Sequence, residues 1–228
     1  MAEYEQYCPI AKATEVVGER WTLLVIRELL VGSRHFNDLA RGLPGMSRTM
    51  LSKRLTRLEA LGLVEKHDGS YLRTDACEGL RPIVLALGEW SNTWLLKDPT
   101  IEECDLVLLM WWAHRRLNVA TLPRAHRTVV HFRFVDAPEQ FWVVVEDEER
   151  SICLADPGFE IDATVSTDVV TLHKIWHGRE PVGAAVKDAR LRFSGSKAIT
   201  RHLPTMLALD PATGLLGDST SQRPNLYA

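Results

Sequence analysis

The sequence lacks the features that a membrane protein or a disulfide-stabilised protein needs. Its four cysteines are widely spaced and form no CxxC pair, which argues against a zinc finger or a disulfide framework. No apolar run is long enough to span a bilayer, and the acidic N-terminus MAEYEQYC lacks the basic and apolar regions of a signal peptide. We therefore expect a cytoplasmic protein that makes no membrane contact.

Sequence signatures of catalysis are also missing. The chain contains no GxGxxG, GxxxxGK[ST] or GxSxG motif, and it offers no recognisable pair of nucleophile and base. His173 and His177 are four residues apart, so a helix would place them on one face, but no third metal ligand accompanies them. We therefore predict that the chain is not an enzyme and binds neither a metal nor a cofactor.

The charge of the chain is unevenly distributed. The net charge is −3, and 46% of the 228 residues are hydrophobic, which is enough for folded cores. Residues 34–74 nevertheless carry eight Lys and Arg against four acids, whereas residues 99–228 carry 14 against 17. A basic segment on an otherwise acidic chain suits a protein that binds nucleic acid specifically.

That basic segment has the pattern of a helix-turn-helix. A short helix at about 35–42 and a longer basic helix at about 47–61 flank the turn Leu43-Pro44-Gly45. Ser47 is a suitable N-cap for the second helix, and Gly62 ends it.

Two short strands, 64–67 and 71–74, follow the second helix and indicate a wing. Asp68-Gly69 between them is a strong signal for a two-residue hairpin turn. Apolar residues at helical spacing predict one further helix before this region, at 9–31, and one after it, at 77–96. Together these elements predict a winged helix-turn-helix domain.

The second helix of the motif has two different faces. Leu51, Leu55 and Leu58 fall on one side of a helical wheel, and the opposite side is small, hydroxylated and basic. Arg54 lies nearer the leucine side, where we expect it to pair with an acid. A merely solvated amphipathic helix has a similar pattern, so the prediction depends on the neighbouring turn and wing. The predicted contacts with double-stranded DNA are Ser47, Arg48, Thr49, Ser52, Lys53, Thr56, Arg57, Lys66 and Arg73.

Residues 7–98 resemble the HxlR-type winged helix regulators of bacteria. The motifs that carry the resemblance are Cys8-Pro9-Ile10, Trp21-Thr22-Leu23-Leu24, Arg27-Glu28-Leu29, Phe36-Asn37-Asp38-Leu39, and Leu51-Ser52 through Arg57-Leu58-Glu59. The resemblance implies a homodimeric transcription factor whose flanking helices form the dimer interface. Such a dimer would bind an inverted repeat, and we expect it to act as a repressor by blocking polymerase.

Cys8 matches the position of a cysteine that some members of this family use to sense oxidants or electrophiles. Thiol sensing needs a stabilised thiolate, yet only Lys12 is a nearby cation, and Glu3 and Glu5 oppose it. A passive, packed cysteine is the alternative. DNA binding that responds to diamide in the wild type but not in Cys8→Ser would support the sensing role.

Lys97-Asp98-Pro99 marks a linker, after which the pattern changes. We predict a winged helix domain for DNA binding and dimerisation at 1–98, an effector domain at 100–210 and a flexible tail at 211–228. In the second domain the pattern predicts helices at 101–119, 168–177, 180–187 and 197–209, and strands at 127–135, 140–147, 151–156, 159–166 and 190–195. Ser166 or Thr167 is the expected cap of the helix at 168–177, and Ser196 of the last helix.

Residues 101–209 resemble the sterol-carrier-protein-like fold, through this order of elements and the segment REPVGAAVKDARLRFSGSKAITRHLPTMLAL. The resemblance implies an α+β domain with a mainly antiparallel sheet, so the predicted fold class is α+β throughout. It also implies a cavity for a small apolar or lipid-like effector, although the same residues could simply form a packed core. The candidate ligand-binding residues are Trp111, Trp112, Phe132, Phe141, Val143 and Trp176.

A different class of function is compatible with the same features. The C-terminal domain could be a lipid carrier, with the winged helix serving only protein contacts. The dependence of binding on salt concentration separates the two hypotheses. DNA binding through several phosphates weakens steeply as the salt concentration rises, whereas uptake of an apolar ligand does not.

Overall fold

The structure is a computed structural model that describes residues 4–123, 127–146 and 149–208. The described chain divides after Leu95 into two compact units, which we call unit 1 (residues 4–95) and unit 2 (residues 96–208). The tail predicted at 211–228 lies outside the described residues. Within the described ranges, no helix combines the length and the apolar character needed to cross a bilayer.

Unit 1 is helical apart from one hairpin. Its elements in chain order are α1 (Pro9–Val17), α2 (Thr22–Leu30), α3 (Phe36–Arg41), α4 (Arg48–Ala60), β1 (Val64–His67), β2 (Ser70–Arg73), α5 (Asp75–Glu78) and α6 (Arg81–Trp94). Ser47 caps α4 as predicted, because its side chain accepts a hydrogen bond from the Met50 amide. Asp68 and Gly69 have φ angles of 46° and 77°, as a type I′ hairpin turn requires.

The leucine side of α4 anchors that helix in the core of unit 1. Leu51, Leu55 and Leu58 are each 1% exposed and belong to one cluster with Val25 and Leu29 of α2. The predicted inward face of the helix is therefore confirmed. Because the core holds α4 on this side only, its other side is free to face solvent.

The single helix predicted at 9–31 is wrong. The chain forms α1 and α2 with a turn between them, which we call the α1–α2 turn (residues 18–21). Gly18 closes α1, and Trp21 precedes α2 in the left-handed conformation with φ of 77°. Apolar residues continue at helical spacing across this turn, so periodicity alone could not reveal it.

The helix predicted at 77–96 is also divided, into α5 and α6. The break lies at Gly79 and Leu80, and Pro82 stands in the first turn of α6. Proline is favoured at that position because its missing N–H has no partner in a first turn, whereas inside a helix it would break the hydrogen-bond ladder.

Unit 2 combines a sheet with helices. Its elements are α7 (Leu106–Arg116), β3 (Thr128–Phe134), β4 (Gln140–Glu146), β5 (Glu149–Cys153), β6 (Ala163–Thr167), α8 (Val169–Trp176), α9 (Val182–Lys187), β7 (Leu191–Gly195), α10 (Lys197–Thr200) and α11 (Leu203–Leu207), with 3₁₀ turns at Ile101–Glu103 and Val119–Thr121. The predicted helix at 101–119 is thus shorter, and the one at 197–209 is divided before Pro204.

The sheet of unit 2 has the strand order β5-β4-β3-β6-β7. Strands β3 and β6 pair in parallel at its centre, and every other pairing is antiparallel. The predicted α+β class with a mainly antiparallel sheet is therefore confirmed. Two strands differ from the prediction by more than one residue, because β5 spans Glu149–Cys153 rather than 151–156 and β6 begins at Ala163 rather than at 159.

The cap predicted for α8 is wrong by one or two residues. Strand β6 extends through Thr167, so neither Ser166 nor Thr167 is free to cap a helix. The carboxylate of Asp168 instead accepts a hydrogen bond of 2.7 Å from the Thr171 amide. Ser196 precedes α10, but its side chain makes no capping hydrogen bond.

Candidate nucleic-acid interface

The outward face of α4 is the best candidate for contact with DNA. Thr49, Ser52, Lys53 and Thr56 are all exposed on it. None of these side chains has an ion pair or hydrogen bond to another described residue. Short hydroxyl side chains allow a helix to approach a base edge or a phosphate closely, and Lys53 supplies a mobile cation.

Arg48, at the start of α4, is oriented by α3. Its Nη2 donates a hydrogen bond of 2.7 Å to Oδ1 of Asn37, and its guanidinium lies 4.9 Å from the centre of the Phe36 ring. The residue remains exposed, beside Ser47 at the positive end of the helix dipole. Helical spacing does not predict this contact, because Asn37 and Arg48 are 11 residues apart in the sequence.

Arg54 and Arg57 share one carboxylate in the α1–α2 turn. Arg54 forms an ion pair with Glu19, as expected for an arginine on the leucine side, and its Nη2 also donates to the Arg20 carbonyl at 3.2 Å. Nε of Arg57 lies 3.5 Å from Oε2 of the same glutamate. Burial lowers the pKa of Arg54, and the neighbouring charge of Arg57 lowers it further. Helical spacing predicts an acidic partner for Arg54 but does not show that it is Glu19.

The wing contributes one exposed cation and one cation that faces inward. Lys66 is exposed, with its Nζ 5.5 Å from the centre of the Tyr71 ring. Arg73, in contrast, donates from Nε to Glu78 at 2.9 Å and from Nη1 to the Leu29 carbonyl at 3.3 Å. Because these bonds hold its guanidinium inside unit 1, Arg73 does not lie with the other predicted contacts.

Most of the predicted ligand residues of unit 2 are packed in its core. Phe132, Phe141, Val143 and Trp176 are at most 1% exposed and belong to one hydrophobic cluster, where the Phe141 ring meets Phe134 edge-on. This is the arrangement of a filled core, the alternative that the sequence left open.

Trp111 and Trp112 of α7 are half-buried and lie outside that cluster. The guanidinium of Arg115 covers the Trp111 ring at 4.1 Å from its centre. The structure therefore does not bring the six predicted ligand residues together around one space.

His173 of α8 and His177, which caps the C-terminal end of that helix, lie on the same side, as the sequence predicts, with their rings stacked at 6.2 Å. The Nδ1 atom of each hydrogen-bonds to a helix carbonyl, that of Val169 and of His173 respectively. Burial lowers the pKa of both histidines. Among the described residues, no three potential ligands are grouped around a metal site.

The cysteines are free thiols in different surroundings. Cys8 is half-buried and immediately precedes α1, whereas Cys77 is fully buried. Burial raises the pKa of Cys77 to about 11, which keeps it in the unreactive thiol form. A sensing role for Cys8 stays a prediction.

Comparison with known proteins places the similarity in unit 1. Residues 16–99 match the model of the HxlR-like helix-turn-helix family. An uncharacterized HTH-type transcriptional regulator of Mycobacterium tuberculosis, MT3179, is 40% identical over 95 residues, 38% of this chain and 58% of that relative. A second uncharacterized regulator of this type, YvaP of Bacillus subtilis, is 32% identical over 103 residues, 42% of this chain and 94% of YvaP.

Among solved structures, the UbiJ-SCP2 ubiquinone synthesis protein matches 56% of this chain and 90% of its own chain. The identity is 16% and the TM-score 0.29, so the sterol-carrier-like character of unit 2 remains a resemblance.

The match to YvaP covers nearly all of that regulator, and the matched region contains the whole helix-turn-helix and its wing. Both matched relatives are HTH-type transcriptional regulators. The chain therefore belongs to the HxlR-like helix-turn-helix family of transcriptional regulators.

Proposed function

We propose that the protein is a homodimeric repressor that lays α4 in the major groove of an inverted-repeat operator. The observation that supports this proposal is the outward face of α4, where Thr49, Ser52, Lys53 and Thr56 are exposed while the leucine side is anchored. Ser47 and Arg48 would meet the DNA at the start of the helix, where its dipole favours phosphate. Repression would follow if the bound dimer excludes polymerase from the promoter.

The wing would add a phosphate contact through Lys66. Arg57 would contribute a second cation beside Lys53, on the half-exposed flank of α4. Arg73 is left out of the proposed contact set, because Glu78 and the Leu29 carbonyl already engage its guanidinium.

The apolar surface of α6 supports a homodimer. Ile83, Leu87, Trp90 and Trp94 follow one another at intervals of four, three and four residues, and each is between 47% and 73% exposed. Such a stripe is costly in water, and a second copy of the same stripe could cover it in a two-fold dimer. A dimer of this kind would place two copies of α4 about one helical turn of DNA apart, roughly 34 Å.

Unit 2 would act as the effector domain, with a small apolar molecule as its ligand. The proposal is supported by a separate sheet domain with its own apolar core, and by the two half-buried tryptophans Trp111 and Trp112 of α7. Because the core side chains are fully buried, ligand entry would require them to move apart. Mass spectrometry of solvent extracts tests this: a stoichiometric apolar compound should copurify with the full chain, and its absence from native preparations would contradict the proposal.

DNA binding is tested by two variants, Lys53→Ala and Arg57→Ala. Each should weaken binding in a gel shift with the promoter DNA of the protein's own gene, and each should reduce the slope of log affinity against log salt by about 0.9, the value for one phosphate contact. Lys197→Ala in unit 2 removes the same charge and serves as the control. Unchanged binding by both α4 variants, with folding intact by circular dichroism, would refute the placement of α4.

A further inference from the structure

Glu19 stands opposite the cationic flank of α4, although it belongs to the α1–α2 turn. It pairs with Arg54, and its Oε2 lies 3.5 Å from Nε of Arg57. Arg54 is further held by the Arg20 carbonyl. One carboxylate therefore serves two guanidinium groups, and the three side chains together carry a single positive charge.

The two arginines differ in their access to solvent. The Arg54 side chain is 11% exposed and the Glu19 side chain 21%, whereas that of Arg57 is 44% exposed. Arg57 can therefore turn outward to another anion, while Arg54 stays beside Glu19. The departure of Arg57 does not leave the carboxylate without a cation, so the exchange of partners costs little.

We propose that Glu19 competes with the DNA backbone for Arg57. This inference rests on the proposed function of α4 and adds a control of its affinity. In the free protein the carboxylate occupies Arg57; in the complex a phosphate oxygen takes its place. Carboxylate and phosphate oxygens accept the same charge-assisted hydrogen bonds from a guanidinium, so the two anions are direct alternatives.

The expected result of this competition is weaker binding to every DNA sequence. Loss of an exposed or half-exposed ion pair of this kind changes the equilibrium constant for DNA binding by about two- to fivefold. A phosphate contact carries no base information, so the preference for operator over other DNA should be unaffected. Glu19 would thus lower the affinity of α4 while leaving its specificity unchanged.

The test is Glu19→Gln, which removes the charge but keeps a side-chain oxygen that can accept a hydrogen bond from Arg54. Fluorescence anisotropy with a mixed-sequence duplex of about three helical turns, and with the protein's own promoter DNA, gives the affinities. Glu59→Gln is the matched control, because it makes the same charge change two positions beyond Arg57 on an exposed site of α4. Repeating Glu19→Gln in an Arg57→Ala background completes a double-mutant cycle.

We expect Glu19→Gln to tighten binding to both duplexes by about two- to fivefold more than Glu59→Gln does. In the Arg57→Ala background this gain should disappear. A gain that persists without Arg57, a gain on promoter DNA alone, or no gain at all would overturn the proposal. If the wild type itself shows no salt-dependent DNA binding, the proposed function fails as well.

Glu19→Gln could unfold unit 1 by weakening the anchor of Arg54, and thermal unfolding followed by circular dichroism would reveal this. In that event Arg57→Gln and Lys53→Gln provide the test in an otherwise wild-type chain. Lys53 has no acidic partner among the described residues, so Lys53→Gln should cost about two- to fivefold more DNA affinity than Arg57→Gln. Equal costs, or a larger cost at Arg57, would overturn the proposal.

Discussion

The backbone at Gly42 is packed so closely that a Cβ atom there would disturb unit 1. A Cβ at this position would lie 1.9 Å from Oε2 of Glu28, a fully buried carboxylate. That carboxylate accepts a hydrogen bond from Ser33 and pairs with Arg27, whose Nη2 also donates to the Gly42 carbonyl at 3.0 Å. The backbone after α3 therefore touches a buried ionic group with no space to spare.

We predict that Gly42→Ala destabilises the protein by about 1–3 kcal/mol, the usual range for overpacking. Gly183 of α9 is the control, since a Cβ there would meet nothing within 4 Å. Gly183→Ala should be neutral or stabilising by up to about 1 kcal/mol, because alanine favours the helix. Urea denaturation measures both, and equal stability of the two variants would contradict the steric explanation.

At the residue level, the predictions are confirmed where the periodicity of one helix determines which side chains face the core. The spacing of Leu51, Leu55 and Leu58 places all three in the core, as found. The partner of Arg73 could not be predicted in the same way, because its hydrogen bond to the Leu29 carbonyl spans 44 residues. Glu19 was missed for the same reason, since its contacts with α4 depend on a turn that helical spacing does not reveal.

At the scale of secondary-structure elements, α6 has no buried residue and carries a stripe of exposed apolar side chains that includes Trp90. We predict that Trp90→Glu converts the dimer to a monomer and, as a consequence, weakens operator binding. Sedimentation velocity measures the change in oligomeric state. The physical reason is that a carboxylate in the centre of an apolar stripe loses its hydration when a second copy covers it.

Val107→Glu provides the control for α6, because Val107 is a similarly exposed apolar residue on α7 of unit 2. It should leave the sedimentation coefficient unchanged. A dimer that survives Trp90→Glu would place the interface elsewhere.

The errors in the predicted helices have a common physical origin. Pro82 and Pro204 each stand in the first turn of a helix, whereas the helices predicted at 77–96 and 197–209 each run through the proline. Proline at these positions is a start signal that should have divided the helix. The α1–α2 turn contains no proline, and its sequence signal is Gly18, which closes α1. Trp21 adopts the left-handed conformation, which local preference disfavours, while packed against the core of unit 1.

At the scale of the whole molecule, several buried histidines make stability depend on pH. Burial lowers the pKa of His114 from 6.5 to about 4, and it lowers the pKa of His131, His173 and His177 as well. Between pH 4 and 6.5, His114 is protonated in the unfolded chain but largely neutral in the folded chain, so the unfolded chain binds more protons. Stability due to His114 is therefore complete above pH 6.5 and is lost as the pH falls towards 4.

We predict that the free energy of unfolding of unit 2 falls with acidification by up to about 1.4 kcal/mol per pH unit for His114 alone. His114→Gln should reduce this dependence, whereas His67→Gln, at an exposed site in the wing, should not. Thermal melts between pH 4 and 7 provide the measurement. A His114→Gln protein with the wild-type pH dependence would contradict the prediction.

The parallel pairing of β3 with β6 has a consequence for synthesis of the chain. Strands β3, β4 and β5 are neighbours in sequence and can pair early. Strand β6 pairs with the remaining edge of β3 only after them, because its partners are distant in sequence, as Val130 and Ala163 are. Until it does, a nascent or truncated chain displays an unpaired strand rich in valine and phenylalanine, a template for aggregation. A protein cut between β5 and β6 should accumulate in inclusion bodies, so any attempt to shorten unit 2 should remove the whole sheet.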